Sequence, residues 1–228
     1  MFEREDDLVN AFSEKTEKFL SLLTKRQTGK RFLIHEFDSK FGIADLILGT
    51  TNKSFANQIK RPAININWVY PLDSLEKIGH FSEKDFRDKF SLTAQSAKKR
   101  LKEYETAGFL FHNQDDTYFV SQPYQSVTDL VVSIEAKLKD WKRALIQASR
   151  YKRFSDYSFV LLDEHFSRPA IENIERFKDT NIGLIVMSDR KFKILFKPIR
   201  NERKMREYSL RLDEFIFSQL KENALKSY

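Results

Sequence analysis

The C-terminal 100 residues switch hydrophobic period repeatedly, and this alternation constrains the fold more than any other feature of the chain. VTDLVVSIEAK (127–137), DYSFVLLD (156–163), NIGLIVMS (181–188) and KFKILFKPI (191–199) are runs of strand length. Between them, residues 140–154 set Trp141, Ala144, Leu145 and Ala148 on one helical side, and 168–178 also reads as helix. The turn SDR joins the last two strands as a hairpin, and LRLDEFIFSQLKENAL closes the chain as a helix. At the other end, an amphipathic helix over 4–25 carries Leu8, Phe12, Phe19, Leu20 and Leu23. It precedes RFLIHEF (31–37) and IADLILG (43–49), a hairpin across DSKFG. The expected fold class is α/β, a mixed sheet flanked by helices.

A different pattern interrupts this order between the second and third strands. After a polar connection from Thr50 to Pro62, LDSLEKIGHF reads as a short helix. Ser82 stands as an N-cap before EKDFRDKF, with Asp85 as a capping-box partner. In SLTAQSAKKRLKEYETAGFL, Ala94, Ala97, Leu101 and Tyr104 step by 3, 4 and 3, a single buried helical stripe, and Gly108 supplies the stop. Strands FLFH (109–112) and TYFVS (117–121) flank the turn NQDD. Helix, helix, helix, hairpin is the order of a winged helix, and LTAQSAKKRLKEYETAGFLF…TYFV resembles that family. The expected domains are 1–63 with 124–228, and an inserted 64–123.

With no cysteine, disulfides, thiolate zinc sites and a cysteine nucleophile are excluded. The four histidines, His35, His80, His112 and His165, have no metal-binding spacing, so a bound metal would rest on carboxylates, which suits Mg2+ or Mn2+. A net charge of +7 and a pI near 9.4 suit an anionic polymer as partner. No run approaches the about 20 apolar residues that span a bilayer, and MFEREDDLVN does not read as a targeting signal. No membrane partner and a cytoplasmic location are expected.

Three charged residues carry the chemistry. Asp45 lies inside the apolar strand GIADLIL, and Glu135 and Lys137 follow the apolar run LVVSI. Residues two apart on a strand share a face, so Glu135 and Lys137 point together. A carboxylate in an apolar strand is costly unless paired or bound to a cation, so two such strands are able to share a divalent metal.

Asp…Glu-x-Lys on adjacent strands resembles the signature of the PD-(D/E)XK nuclease superfamily. Gln147 and Tyr151 match the Gln-x-x-x-Tyr helix motif of its RecB-type members, at an i, i+4 spacing. Ala44, not proline, precedes Asp45. The resemblance spans about two thirds of the chain and implies a restriction-endonuclease-like sheet interrupted by a winged-helix insert. It further implies a Mg2+-dependent DNA endonuclease. Asp45, Glu135 and the Ala136 carbonyl would hold the ion, and Lys137 would position or deprotonate the attacking water or neutralise phosphate charge. Glu36 would complete the shell, and Gln147 and Tyr151 would contact phosphate or orient Lys137. Glu5, on the first helix, is a further acidic candidate.

In the insert, Thr93, Gln95, Ser96, Lys99 and Arg100 would face a DNA groove, with Lys98 and Lys102 adding phosphate contacts. The acidic turn NQDD disfavours a wing contact. Alternatives stay open: Tyr151 as a packed core residue, the insert as a protein-interaction module, and the whole as a non-catalytic DNA-binding regulator on a degenerate nuclease scaffold. A homodimer or larger nucleoprotein complex is a further expectation, with Phe215, Phe217 and Leu220 as the candidate interface.

Overall fold

The computed structural model describes residues 1–24 and 29–226. In chain order its elements are α1 (Glu5–Ser13), α2 (Thr16–Leu23), β1 (Arg31–Asp38), β2 (Ile43–Thr51), α3 (Ser54–Gln58), α4 (Val69–Leu75), β3 (Phe81–Ser82), α5 (Glu83–Phe90) and α6 (Ala94–Thr106). There follow β4 (Leu110–His112), β5 (Thr117–Val120), β6 (Thr128–Lys137), α7 (Trp141–Tyr151), β7 (Tyr157–Asp163), α8 (Arg168–Glu172), α9 (Ile174–Thr180), β8 (Gly183–Met187), β9 (Phe192–Phe196) and α10 (Arg206–Lys226). The expected N-terminal helix over 4–25 is two helices, broken at Glu14 and Lys15. The expected loop after Thr50 holds the short α3.

The protein is α/β, with a mixed six-stranded open sheet and a small three-stranded antiparallel sheet, flanked by helices. Two compact units divide it: Met1–Asn52 with Thr128–Ser209, and Lys53–Val127 with Leu210 onward. Among the described residues no helix is long and apolar enough to cross a membrane.

The first unit holds the large sheet, in the order β1-β2-β6-β7-β8-β9. β6, β7 and β8 run parallel, and the remaining neighbours pair antiparallel. The two-residue period of the central strands sends apolar side chains to both faces. On one face Leu46, Val132, Ile134, Phe159 and Leu161 pack beneath Leu8, Phe12 and Phe19 of α1 and α2. On the other, Val160, Leu162 and Leu184 pack beneath Trp141, Ala144 and Ala148 of α7 and Phe177 of α9. Trp141 is therefore a core residue, 6% exposed. Lys204 reaches the buried Asp156 carboxylate at 2.8 Å.

The second unit is wider than the expected 64–123 and takes in the C-terminal helix from Leu210 on. Its core joins Val69 and Leu72 of α4, Phe86 of α5, and Ala97, Leu101 and Tyr104 of α6 to Phe81 and Leu110 of the small sheet. Ser82 and Asp85 cap each other at the start of α5, and Gly108, at φ +80°, ends α6 in the left-handed conformation that glycine tolerates. Ala94 does not extend the buried stripe of α6: it is exposed in the first turn, while Ala97, Leu101 and Tyr104 are buried. Asp213 and Glu214 of α10 explain the wider boundary. Glu214 accepts two bonds from the Arg61 guanidinium, at 2.9 and 2.6 Å, and the Ile64 N–H at 2.7 Å. Asp213 accepts the Val127 N–H at 2.9 Å and the Ser126 hydroxyl at 2.8 Å. Phe217, expected at a dimer interface, is instead buried with Phe55 and Val127.

Candidate active site

The antiparallel ladder of β2 and β6 runs to the pair Leu46–Ile134. Just beyond that pair a side chain takes over from the backbone: the Asp45 carboxylate accepts the Ala136 N–H at 2.6 Å. The pairing of β1 with β2 skips the position opposite Asp45, which Glu36 occupies at φ +54°. A left-handed glutamate within a strand is costly, and here it adds an exposed carboxylate beside Asp45.

Glu135 is 1% exposed. One of its oxygens lies 2.7 Å from the Tyr151 hydroxyl and the other 3.0 Å from Lys137 Nζ. That ammonium also donates to Glu5, 3.0 Å away on α1, and to the Ala136 carbonyl at 2.8 Å. Tyr151, fully buried, stands 2.7 Å from the Ile43 carbonyl as well. It is thus both a packed core residue and a support for Glu135. One hydroxyl proton faces two acceptors, and a proton on Glu135 would complete the second bond.

The site is short of positive charge. Glu5, Asp45 and Glu135 interact with the ammonium of Lys137, and Glu36 adds its charge beside Asp45. Burial raises the pKa of Asp45, and the nearby Glu5 and Glu36 add to the rise despite the Ala136 N–H. Burial also raises Glu135, and Asp45 pushes it further. Burial works against the charge of Lys137, but Glu135 and Glu5 outweigh it, and its pKa stands above the ordinary value. Burial and the Glu135 charge together hold the Tyr151 phenol far above its usual range.

These donors suit a hard cation. Asp45, Glu135 and the Ala136 carbonyl are oxygen ligands, and neutralising two carboxylates that burial has raised is the interaction such an ion would supply. Gln147, one turn before Tyr151 on α7, has a buried Oε1 without a hydrogen-bond partner among the described residues. Among the described residues no group of three or more His, Cys, Asp and Glu is placed to hold a metal. Two carboxylates and a carbonyl would suit an ion such as Mg2+, which usually takes one or two carboxylates and fills its remaining positions with water and substrate phosphate, better than an ion that needs a closed cage.

The turn read from DSKFG does more than connect strands. Gly42, at φ +139°, lies against the Tyr151 hydroxyl. Arg150 Nη1 donates to the Phe41 carbonyl at 3.1 Å, and the Arg153 guanidinium lies 4.3 Å from the centre of the Phe41 ring. The glycine was the only signal in the sequence for this wall. Asp140 was not anticipated either: three residues after Lys137, its carboxylate caps α7 by accepting the Arg143 N–H at 3.1 Å.

On α6 the expected DNA-facing residues divide. Gln95, Ser96, Lys98, Lys99 and Lys102 are exposed. Thr93 is the N-cap and accepts the Ser96 N–H, and its hydroxyl also bonds that of Ser96. Arg100 turns inward, paired with Glu103 and 5.4 Å from the centre of the Trp68 ring. Its aliphatic stem and planar head gain more there than in water. Lys102 pairs with Glu105 at 3.0 Å. Comparison with protein-family models, curated protein sequences and solved structures finds no match to this chain.

Proposed function

We propose that this chain is a Mg2+- or Mn2+-dependent nuclease of the PD-(D/E)XK type that hydrolyses phosphodiester bonds in DNA, with a winged-helix insert that contacts the duplex. The observation that carries this reading is the cluster itself. Asp45 and Glu135, from different strands, are both raised by burial, and Lys137 lies within 3.0 Å of one of them. Such pairs cluster at sites of chemistry because a structure gains nothing by leaving them under-neutralised.

Asp45, Glu135 and the Ala136 carbonyl would hold the ion. When bound, it supplies Lewis-acid polarisation of the phosphate and a lowered pKa for water. In the metal-free protein Glu135 and Glu5 hold the Lys137 pKa above its ordinary value, and Lys137 would meet negative charge growing on the phosphate or position the attacking water. Glu5 tethers Lys137, Tyr151 fixes Glu135, and Asp45 holds the Ala136 amide so that the neighbouring carbonyl keeps its direction.

The second reading, a DNA-binding scaffold without catalysis, is favoured by the lack of a three-ligand group among the described residues. Cleavage of supercoiled plasmid and single-stranded DNA with Mg2+ or Mn2+ separates the two. The nuclease reading expects cleavage by the wild type and its loss in Lys137→Ala. Salt-sensitive binding with no cleavage by either protein would leave the scaffold.

A further inference from the structure

The inward side of α7, from Trp141 to Tyr151, is core, and its outward side has a different character. Lys142, Arg143, Ile146 and Arg150, with Lys139 just ahead of the helix, are all exposed. Their spacing places them in one stripe. Asp140 lies at its start, with its carboxylate engaged as the helix cap. Among the described residues, none of the four cations has a carboxylate at ion-pair distance. On α6, by contrast, Arg100 and Lys102 are each neutralised by a glutamate three residues on.

Ile146 sits in the middle of the stripe with 57% of its surface exposed. The stripe also leads to the acid cluster. Arg150, at its far end, reaches the Phe41 carbonyl, and two residues later comes Ile43, 54% exposed, whose carbonyl accepts the Tyr151 bond. A row of unneutralised cations fits a row of phosphates. A lone aliphatic side chain among them has no use for phosphate. The apolar surface of a nucleic acid is the base face, accessible once a base leaves the stack. A helix lying in a membrane surface would need a broad apolar face, not one isoleucine.

We infer that the outer face of α7 is a track for a single strand of DNA, with Lys139, Lys142, Arg143 and Arg150 on successive phosphates and Ile146 against an unstacked base. This rests on the nuclease reading and adds to it a preference for single-stranded or locally opened DNA.

The test measures binding of labelled single-stranded and duplex DNA of one sequence across a salt series, without divalent metal, together with cleavage in Mn2+. Replacing Lys142 and Arg143 by serine should reduce the slope of log affinity against log salt for the single strand by about 1.4, from about 0.7 per phosphate. Ile146→Ser should leave that slope unchanged. It should weaken single-strand binding on the order of tenfold and abolish the fluorescence gain of a 2-aminopurine placed in the strand. Ser149→Glu, which adds a negative charge to the same exposed face, should weaken binding in the same direction as the serine pair. Wild-type cleavage with unaltered slope and affinity in all the variants would overturn the track and leave the nuclease reading standing. Binding of wild type to phosphatidylserine vesicles in preference to single-stranded DNA would overturn it in favour of a membrane surface. A wild type that neither binds nor cleaves DNA would overturn both.

Discussion

Asp213 with Glu214, both buried, and half-buried Asp45 with buried Glu135 are two carboxylate pairs treated in opposite ways. Asp213 and Glu214, 3% and 0% exposed, are surrounded by donors: the Arg61 guanidinium, the Ile64 and Val127 amides, and the Ser126 and Tyr124 hydroxyls. The Arg61 guanidinium in turn lies 3.8 Å from the centre of the Phe217 ring, so both sides of the ion pair are covered. Asp45 and Glu135 have one amide, one phenol and one shared ammonium, with two more carboxylates close by. A buried charge needs a partner and filled hydrogen bonds. The first pair has both and acts as architecture, fastening α10 to the base of the second unit. The second pair is left short, and that shortfall is what a cation and a phosphate would relieve.

The contrast is sharpest under mutation. Glu214→Gln leaves the Arg61 charge buried without its partner and should cost about 3–5 kcal/mol of stability, read as a lowered urea midpoint. An unchanged midpoint would remove the architectural role of that pair. Lys137→Ala should lower the cleavage rate by about 10²–10³-fold, with no comparable loss of stability. Asp45→Asn should do the reverse of Glu214→Gln and stabilise the protein at neutral pH, because burial holds the Asp45 pKa above its ordinary value. The sign follows from linkage. A carboxyl whose folded pKa is raised is most stabilising when protonated, and it loses that contribution as pH rises through the folded value. The advantage of Asp45→Asn should therefore appear above the ordinary carboxylate range and vanish below it. The smallest effects belong to α6: Lys99→Ala should reduce the salt slope of duplex binding by about 0.9, whereas Arg100→Ala should leave that slope unchanged because Glu103 already neutralises the arginine.

The contrast between the two pairs also marks how far the sequence can be read. The large sheet was legible because its strands are runs of apolar residues separated by a helical period, and Asp45, Glu135 and Lys137 stood out as charges against those runs. The two-residue spacing set Lys137 on the face of Glu135, and the resemblance implied that Tyr151 contacts phosphate or orients Lys137; the structure brings both side chains to Glu135. Arg61, Asp213 and Glu214 could not be read in this way. Glu214 lies 153 residues from Arg61, and a charged pair on an amphipathic helix looks solvated until its partner is known. Arg100 was misread for a related reason: helical angle set it on the outer face, but a long side chain at the margin of the buried stripe turned in toward Trp68 and Glu103. Glu36 was found as an acid near Asp45, but its left-handed backbone has no signature in the residue type.

The most direct test of the under-neutralised pair is the shift in melting temperature produced by Mn2+, measured side by side on the wild type and Asp45→Asn at neutral pH. An ion that binds only the folded protein stabilises it by about 2.7 kcal/mol at a concentration 100 times its Kd. Without metal, Asp45→Asn should start from a higher melting temperature, and Mn2+ should raise that of the wild type but not that of Asp45→Asn. Equal shifts in the two proteins, or a metal-free Asp45→Asn that melts below the wild type, would contradict this.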